Sequence, residues 1–329
     1  MRHRQSKGFR TFILFTSAML FLFGTPGSFA QTYPSKPIKI IVPVAAGGGT
    51  DFSARLIAQK LTEAWNIPVI VENRPGGGGN VGVEAGVKSD PDGYTLVMPI
   101  TSFPVNPGMY PKLPFDSEKD LTPIVLVASA PLVLVVNPAV QARSLSELIL
   151  LARASPGQLN YGNSGVGTTA HLAAELFKHS ANLDIVNVPY KGGGPAIADL
   201  IAGNIQIYFS TIPAALSQTK SGRINAIAVT GLAPVSELPG IPTVAQSGLP
   251  GFEVVGWFGL FAPSQTPVSI VNKLNKEIVS ILQMKDVQEK FSAHGLIPGG
   301  GSPKELGQFL HTEIAKWKSL IQTAGIKSE

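Results

Sequence analysis

A strand-like run at residues 38–44 breaks into Ala45, Ala46, Gly47, Gly48, Gly49, Thr50 and Asp51, and the pattern that follows at 52–61 is helical. The same order returns at mid-chain. Residues 159–161 lead into Gly162, Asn163, Ser164, Gly165, Val166, Gly167, Thr168 and Thr169, and a second helical pattern continues through His171, Leu172, Glu175, Leu176 and Phe177. A glycine turn at a helix start leaves backbone N–H groups unpaired, and the helix dipole places partial positive charge there. Both features suit a carboxylate or phosphate. Two such turns facing each other form a pincer for an anion.

The N-terminal residues predict where that pincer works. Residues 1–10 carry Arg2, Arg4, Lys7 and Arg10 without an acidic residue, and residues 11–23 are an apolar run followed by Gly24, Pro26 and Gly27. Ser28, Phe29 and Ala30 then place small residues where a signal peptidase reads them, which predicts a leader over 1–30, cleavage after Ala30 and a periplasmic protein. About 13 apolar residues fall short of the roughly 20 that a membrane-spanning helix needs. Cleavage removes four of the 26 basic residues and none of the 21 acidic ones, leaving 22 against 21 and a net charge near +1. The basic balance therefore gives no argument for nucleic acid. The absence of cysteine excludes disulfides, thiolate chemistry and a lipid-bearing cysteine after the leader.

About 299 residues then remain, enough for two domains. Short apolar segments at 95–99, 124–127, 132–136, 185–188, 205–209 and 224–229 read as buried strands. Helical patterns lie at 52–65, 144–153, 170–179, 196–202, 268–282, 285–293 and 303–324. Such alternation predicts an α/β fold with largely parallel sheets. Ser144 stands three residues before Glu147, the spacing of a capping box, and Ser302 with Pro303 marks another helix start. Segments 132–136 and 254–261 are expected to cross between domains, so that 31–131 with 254–329 surrounds a continuous 132–253. A third glycine loop at 192–194 is either a ligand contact or a tight connection.

Residues 43–55 (PVAAGGGTDFSAR), 72–79 (ENRPGGGG), 90–96 (DPDGYTL), 161–177 (YGNSGVGTTAHLAAELF), 188–194 (VPYKGGG) and 256–263 (GWFGLFAP) together resemble the tripartite tricarboxylate transporter substrate-binding receptors, the Bug family. The resemblance runs along essentially the whole chain after the leader. It implies a type II periplasmic-binding-protein fold of two α/β domains in a venus-flytrap arrangement. It also implies that a small organic carboxylate, whether dicarboxylate, tricarboxylate or aromatic acid, is delivered to inner-membrane permease subunits by a monomeric receptor without cofactor or metal.

Transferred by position, the resemblance places one grip at Ala46, Gly47, Gly48, Gly49, Thr50 and Asp51, and the other at Ser164, Gly165, Val166, Gly167, Thr168 and Thr169. It adds Thr101, Ser102, Asn106 and Pro107, and the end of the strand holding Phe209. Thr50 and Thr168 either donate to the ligand or cap their own helices. Asp51 repels an anion if it faces the cleft and otherwise stabilises its helix. Many relatives carry an aspartate where this chain has Ser210, which disfavours a ligand ammonium. Among the aromatics Phe103, Tyr190, Phe209, Trp257 and Phe258, Tyr190 and Phe258 sit in motif loops, whereas Phe209 reads first as core. Lys191 is a candidate cation for a second carboxylate.

The rival readings are enzymes. An exported serine hydrolase would use Ser164, yet the residues around it miss the G-x-S-x-G spacing, and His171 reads as a packed or capping histidine. The run from Gly165 to Ala170 fits a loose dinucleotide-binding pattern, but no acidic residue follows at the required distance; Asp184 comes too early. Five scattered histidines make no metal site.

Overall fold

The computed structural model describes residues 33–110, 112–165, 167–190 and 192–326. Residues Lys36–Glu329 form one compact unit. The expected leader and its cleavage point, with Val166 and Lys191, lie outside the described residues.

In chain order the elements are β1 (Ile38–Val42), α1 (Gly49–Trp65), β2 (Val69–Asn73), α2 (Asn80–Val87), β3 (Thr95–Val97), α3 (Asn106–Met109), β4 (Leu121–Val136), α4 (Leu145–Ala154), β5 (Asn160–Asn163) and α5 (Thr169–Ala181). There follow β6 (Val186–Pro189), α6 (Gly193–Ala202), β7 (Ile207–Thr211), α7 (Ile212–Lys220), β8 (Asn225–Val229), β9 (Val255–Pro263), α8 (Val268–Leu282), α9 (Lys285–Ala293), β10 (Ile297–Gly300) and α10 (Pro303–Ala324). No helix among the described residues is long and apolar enough to cross a membrane.

Local chemistry explains the helix boundaries. In α8, Val271, Leu274, Ile278, Ile281 and Leu282 recur at helical spacing and all are buried. Ser302 and Glu305 close a full capping box at α10, with Pro303 in the first turn. At α4 the expected box is only half formed. Ser144 Oγ accepts from Glu147 N–H at 3.2 Å, but the Glu147 carboxylate turns back to Arg143 N–H at 2.6 Å.

β1 pairs in parallel with β2 and β3, as β5 does with β6 and β7. The expectation of largely parallel sheets fails at the centre. There β4 runs antiparallel to β9, β10, β7 and β8, and β9 runs antiparallel to β3. β4 carries the chain out of the first set of strands and β9 brings it back, so the two lie side by side in opposite directions, from Leu121 opposite Pro263 to Pro131 opposite Val255. β4 is one strand of 16 residues and not the two expected. Its first part pairs with β9 and β10, and from Leu132 onward it pairs with β7 and β8. Pro131 stands at the changeover, where a missing N–H costs the ladder least.

Two apolar clusters follow this division. Val97, Phe103, Phe115, Leu121, Trp257 and Phe261 pack with Leu306 and Leu310 of α10. The larger cluster gathers Leu132 to Val136, Tyr161, Phe177 and Phe209, and receives Trp317, Leu320 and Ile321 from the same helix. α10 thus buries its first turns against one set of strands and its last turns against the other.

Candidate functional site

After β1 the chain turns through Gly47, at φ 101°, into α1. The first ladder bond of that helix runs from Phe52 N–H to Gly48 O at 2.9 Å, so the amides of Gly49, Thr50 and Asp51 precede the ladder. Asp51 organises this turn from behind. Its carboxylate is buried and accepts from Gly47 N–H at 3.0 Å, Arg55 Nε at 2.9 Å and Asn73 Nδ2 at 2.9 Å. Burial alone would push the carboxyl pKa up; the bonds from Arg55, Asn73 and Gly47, with the Arg55 charge, hold it below the ordinary range. Gly49 packs closely on Phe258: an added Cβ would lie 3.1 Å from Phe258 Cζ, so the ring would have to give by a few tenths of an ångström.

The second turn is organised by different groups. Asn163 Oδ1 accepts from Gly165 N–H at 2.7 Å, Ser164 Oγ donates to Thr168 Oγ1 at 3.2 Å, and Thr168 Oγ1 donates to Gly165 O at 2.7 Å. Thr168 also caps α5 by accepting from His171 N–H. Its hydroxyl proton is therefore spent within the turn, which favours capping over ligand contact. His171 Nδ1 accepts from Gly167 N–H at 3.2 Å, so this buried imidazole carries its hydrogen on Nε2 when neutral. Burial pushes its pKa down, with the Glu175 charge opposing.

Both turns open onto one cavity of about 730 Å³. Of the residues expected from sequence, Gly49, Thr50, Thr101, Ser102, Asn106, Ser164, Gly167, Thr168, Thr169 and Phe209 line it, together with Phe258. Gly47, Gly48 and Asp51 instead line an adjoining cavity of about 520 Å³ with Arg55 and Lys290. Ala46, Gly165, Tyr190 and Ser210 line neither. Tyr190 donates to Asp199 at 2.7 Å, and burial with that bond pushes its hydroxyl up to about 12; Ser210 is buried and donates to Thr211 O at 3.1 Å. Phe103 and Trp257 are core. Ser102 and Asn106 both donate to Gly78 O, which fixes the loop before α2 across the cavity edge. Thr169 Oγ1 donates to Thr101 Oγ1 at 3.2 Å, joining the second turn to the β3 side.

The sequence reading missed Tyr110, Tyr208, Thr211 and His294, all on the cavity wall. Tyr208 precedes Phe209 in β7 and shared its strand-end signal. Burial holds the Tyr208 phenol up, against a hydrogen bond with Ser164. His294 follows α9 with no pattern to mark it. The described lining holds no Asp, Glu, Lys or Arg side chain. What it offers is hydroxyls, two helix starts and apolar walls from Val44, Ile100, Met109, Ile212 and Leu296.

Two helix N-termini converge on a cavity whose described lining holds no Asp, Glu, Lys or Arg, beside a pair of long antiparallel strands, an arrangement that fits a solute-binding protein. The chain belongs to the tripartite tricarboxylate transporter family of receptors, whose model matches residues 53–326. Protein BugT of Bordetella pertussis is 38% identical over 300 residues, covering 91% of this chain and 92% of BugT. An R. palustris protein solved with adipate is 35% identical, with TM-score 0.75 over 90% of this chain and 99% of that one. MatC of Rhodopseudomonas palustris, solved with bound malate, is 29% identical, with TM-score 0.71 over 88% and 100%. The fold is that of these solute-binding proteins. The family is one of periplasmic substrate-binding receptors that work with tripartite transporters, and nothing in these relatives supports a hydrolase built on Ser164.

Proposed function

We propose that this receptor captures a small organic carboxylate between the turn at Gly49 and Thr50 and the turn at Gly167 to Thr169. The observation that carries this reading is the convergence of two helix starts on a cavity whose described lining has no side-chain carboxylate to repel an anion. The ligands of the adipate- and malate-bound relatives support the same chemistry. Each helix end contributes about 0.3–1 kcal/mol, rising to about 2 when partly buried. Micromolar affinity requires about 8 kcal/mol, so backbone hydrogen bonds and burial of the ligand body must supply the remainder.

Residues 31–131 with 254–329 act as one lobe and 132–253 as the other, and they close about the changeover in β4 and the start of β9. Thr101, Pro131 and Gly256 line the cavity, and Pro131 and Gly256 belong to those two strands, which supports closure over it. The receptor works as a monomer in the periplasm after cleavage behind Ala30, and the closed form is what its permease subunits recognise. A thermal-shift screen against carboxylic acids, amino acids and esters tests this. A ligand at 100 times its Kd stabilises the folded state by about 2.7 kcal/mol. Stabilisation by a carboxylate recovered intact is expected, and stabilisation by no acid refutes the reading.

A further inference from the structure

Among the described residues, His294 is the one histidine on the wall of the main cavity, and it also lines the adjoining one, where Lys290, Arg55 and Asp51 stand. Its ring is held on two sides. It stacks on Phe52 at 3.6 Å between centroids and 19° between planes, and Nδ1 lies 2.9 Å from Lys290 O. A carbonyl oxygen only accepts, so Nδ1 carries a hydrogen. In the neutral ring Nε2 is then a bare acceptor. His171 has the reverse arrangement, because a backbone N–H donates to its Nδ1.

This tautomer has a consequence for the ligand. A first carboxylate is met by the two helix starts, but a second meets no Lys or Arg side chain on the described cavity wall. His294 is exposed in this form, so the second charge loses its water on closure, and losing it without a partner is costly. A carboxylate that reaches Nε2 meets a lone pair unless that nitrogen takes up a proton from solvent, whereupon it meets a charge-assisted donor. Lys290 and Arg55 oppose that proton, although Lys290 is 4.0 Å from Asp286 and Arg55 is paired with Asp51. Across the cleft the segment meets uncharged Pro213, and Glu237 is engaged by Ser292 at 2.8 Å. The ligand's own second charge is what tips the balance.

Resting on the carboxylate-receptor reading, we infer that His294 determines specificity for a diacid, reading its second carboxylate through an Nε2 proton acquired on binding. Calorimetric titration of the receptor with adipate and hexanoate, which match in length, tests this at pH 8 in two buffers of different ionisation enthalpy. The wild type is expected to favour adipate by tenfold or more, taking up a substantial fraction of a proton with adipate and none with hexanoate. His294→Phe keeps the stack on Phe52 and removes Nε2. It is expected to lose both the adipate advantage over hexanoate and the proton uptake. Equal adipate preference and uptake in His294→Phe overturns the inference, as does adipate binding to wild type without uptake. Hexanoate binding with no diacid advantage also overturns it but leaves the receptor reading intact. Failure of every acid in a wider panel overturns both.

Discussion

Gly295 offers a direct test of closure. It has φ 66°, and a Cβ added there would lie 2.4 Å from Pro213 Cδ and 2.5 Å from Cγ, in the segment proposed as the other lobe. Gly295→Ala therefore has two separable costs. The left-handed backbone costs about 1–2 kcal/mol of folding stability for a residue with a side chain. Carbon atoms rest about 3.5–4.0 Å apart, so the contact must also lengthen by more than about 1 Å. If the lobes part to relieve it, the closed form loses about 1–3 kcal/mol, typical of overpacking. Apparent affinity then falls about 5- to 150-fold, since each 1.4 kcal/mol is tenfold and only the closed form binds tightly. Gly240→Ala is the control, for Gly240 has φ 81° and nothing within 4 Å of an added Cβ. Both variants should lose similar thermal stability in the absence of ligand. Calorimetry with an identified acid should show weakened binding in Gly295→Ala alone, restored when Pro213→Ala removes Cγ and Cδ. Binding by Gly295→Ala equal to that of Gly240→Ala would refute closure at this contact.

Three further outcomes follow from the site. His171 has a folded pKa below its ordinary value, so the unfolded chain binds a proton first as pH falls through about 6.5; stability should decline from there to the folded value, and denaturant midpoints of His171→Gln should decline less. Asp51 is likewise depressed, so its stabilisation is present above about pH 4 and lost as pH falls through the folded value. Asp51→Asn should cost about 1–3 kcal/mol at neutral pH and flatten that acid limb in urea titrations. Thr101→Val and Thr169→Val should show a coupling of about 0.5–1.5 kcal/mol in a double-mutant cycle on ligand affinity, and additive losses would separate that pair from the mechanism.

What the sequence disclosed and what it hid have different physical origins. The helices at 268–282, 285–293 and 303–324 were legible because their apolar spacing and start signals are local, and both glycine turns were legible because strand, glycine run and helix occur in order. The single course of β4 was not, since a proline and small residues at 129–131 read as a break until β9 on one side and β7 and β8 on the other supply partners. At the site, Asp51 could be placed near the first turn from sequence, but its direction depends on Asn73, 22 residues away. The histidines carry this furthest. His171 stands behind the second turn and His294 on the cavity wall, the same residue type in both, yet one accepts from a backbone amide and the other donates to a backbone carbonyl. Each state follows from a group four residues away in the chain, Gly167 or Lys290, but only after the local backbone has fixed which atom points at the ring. Chemistry at the cavity therefore depends on the orientation of main-chain groups around these side chains, which spacing and composition do not encode.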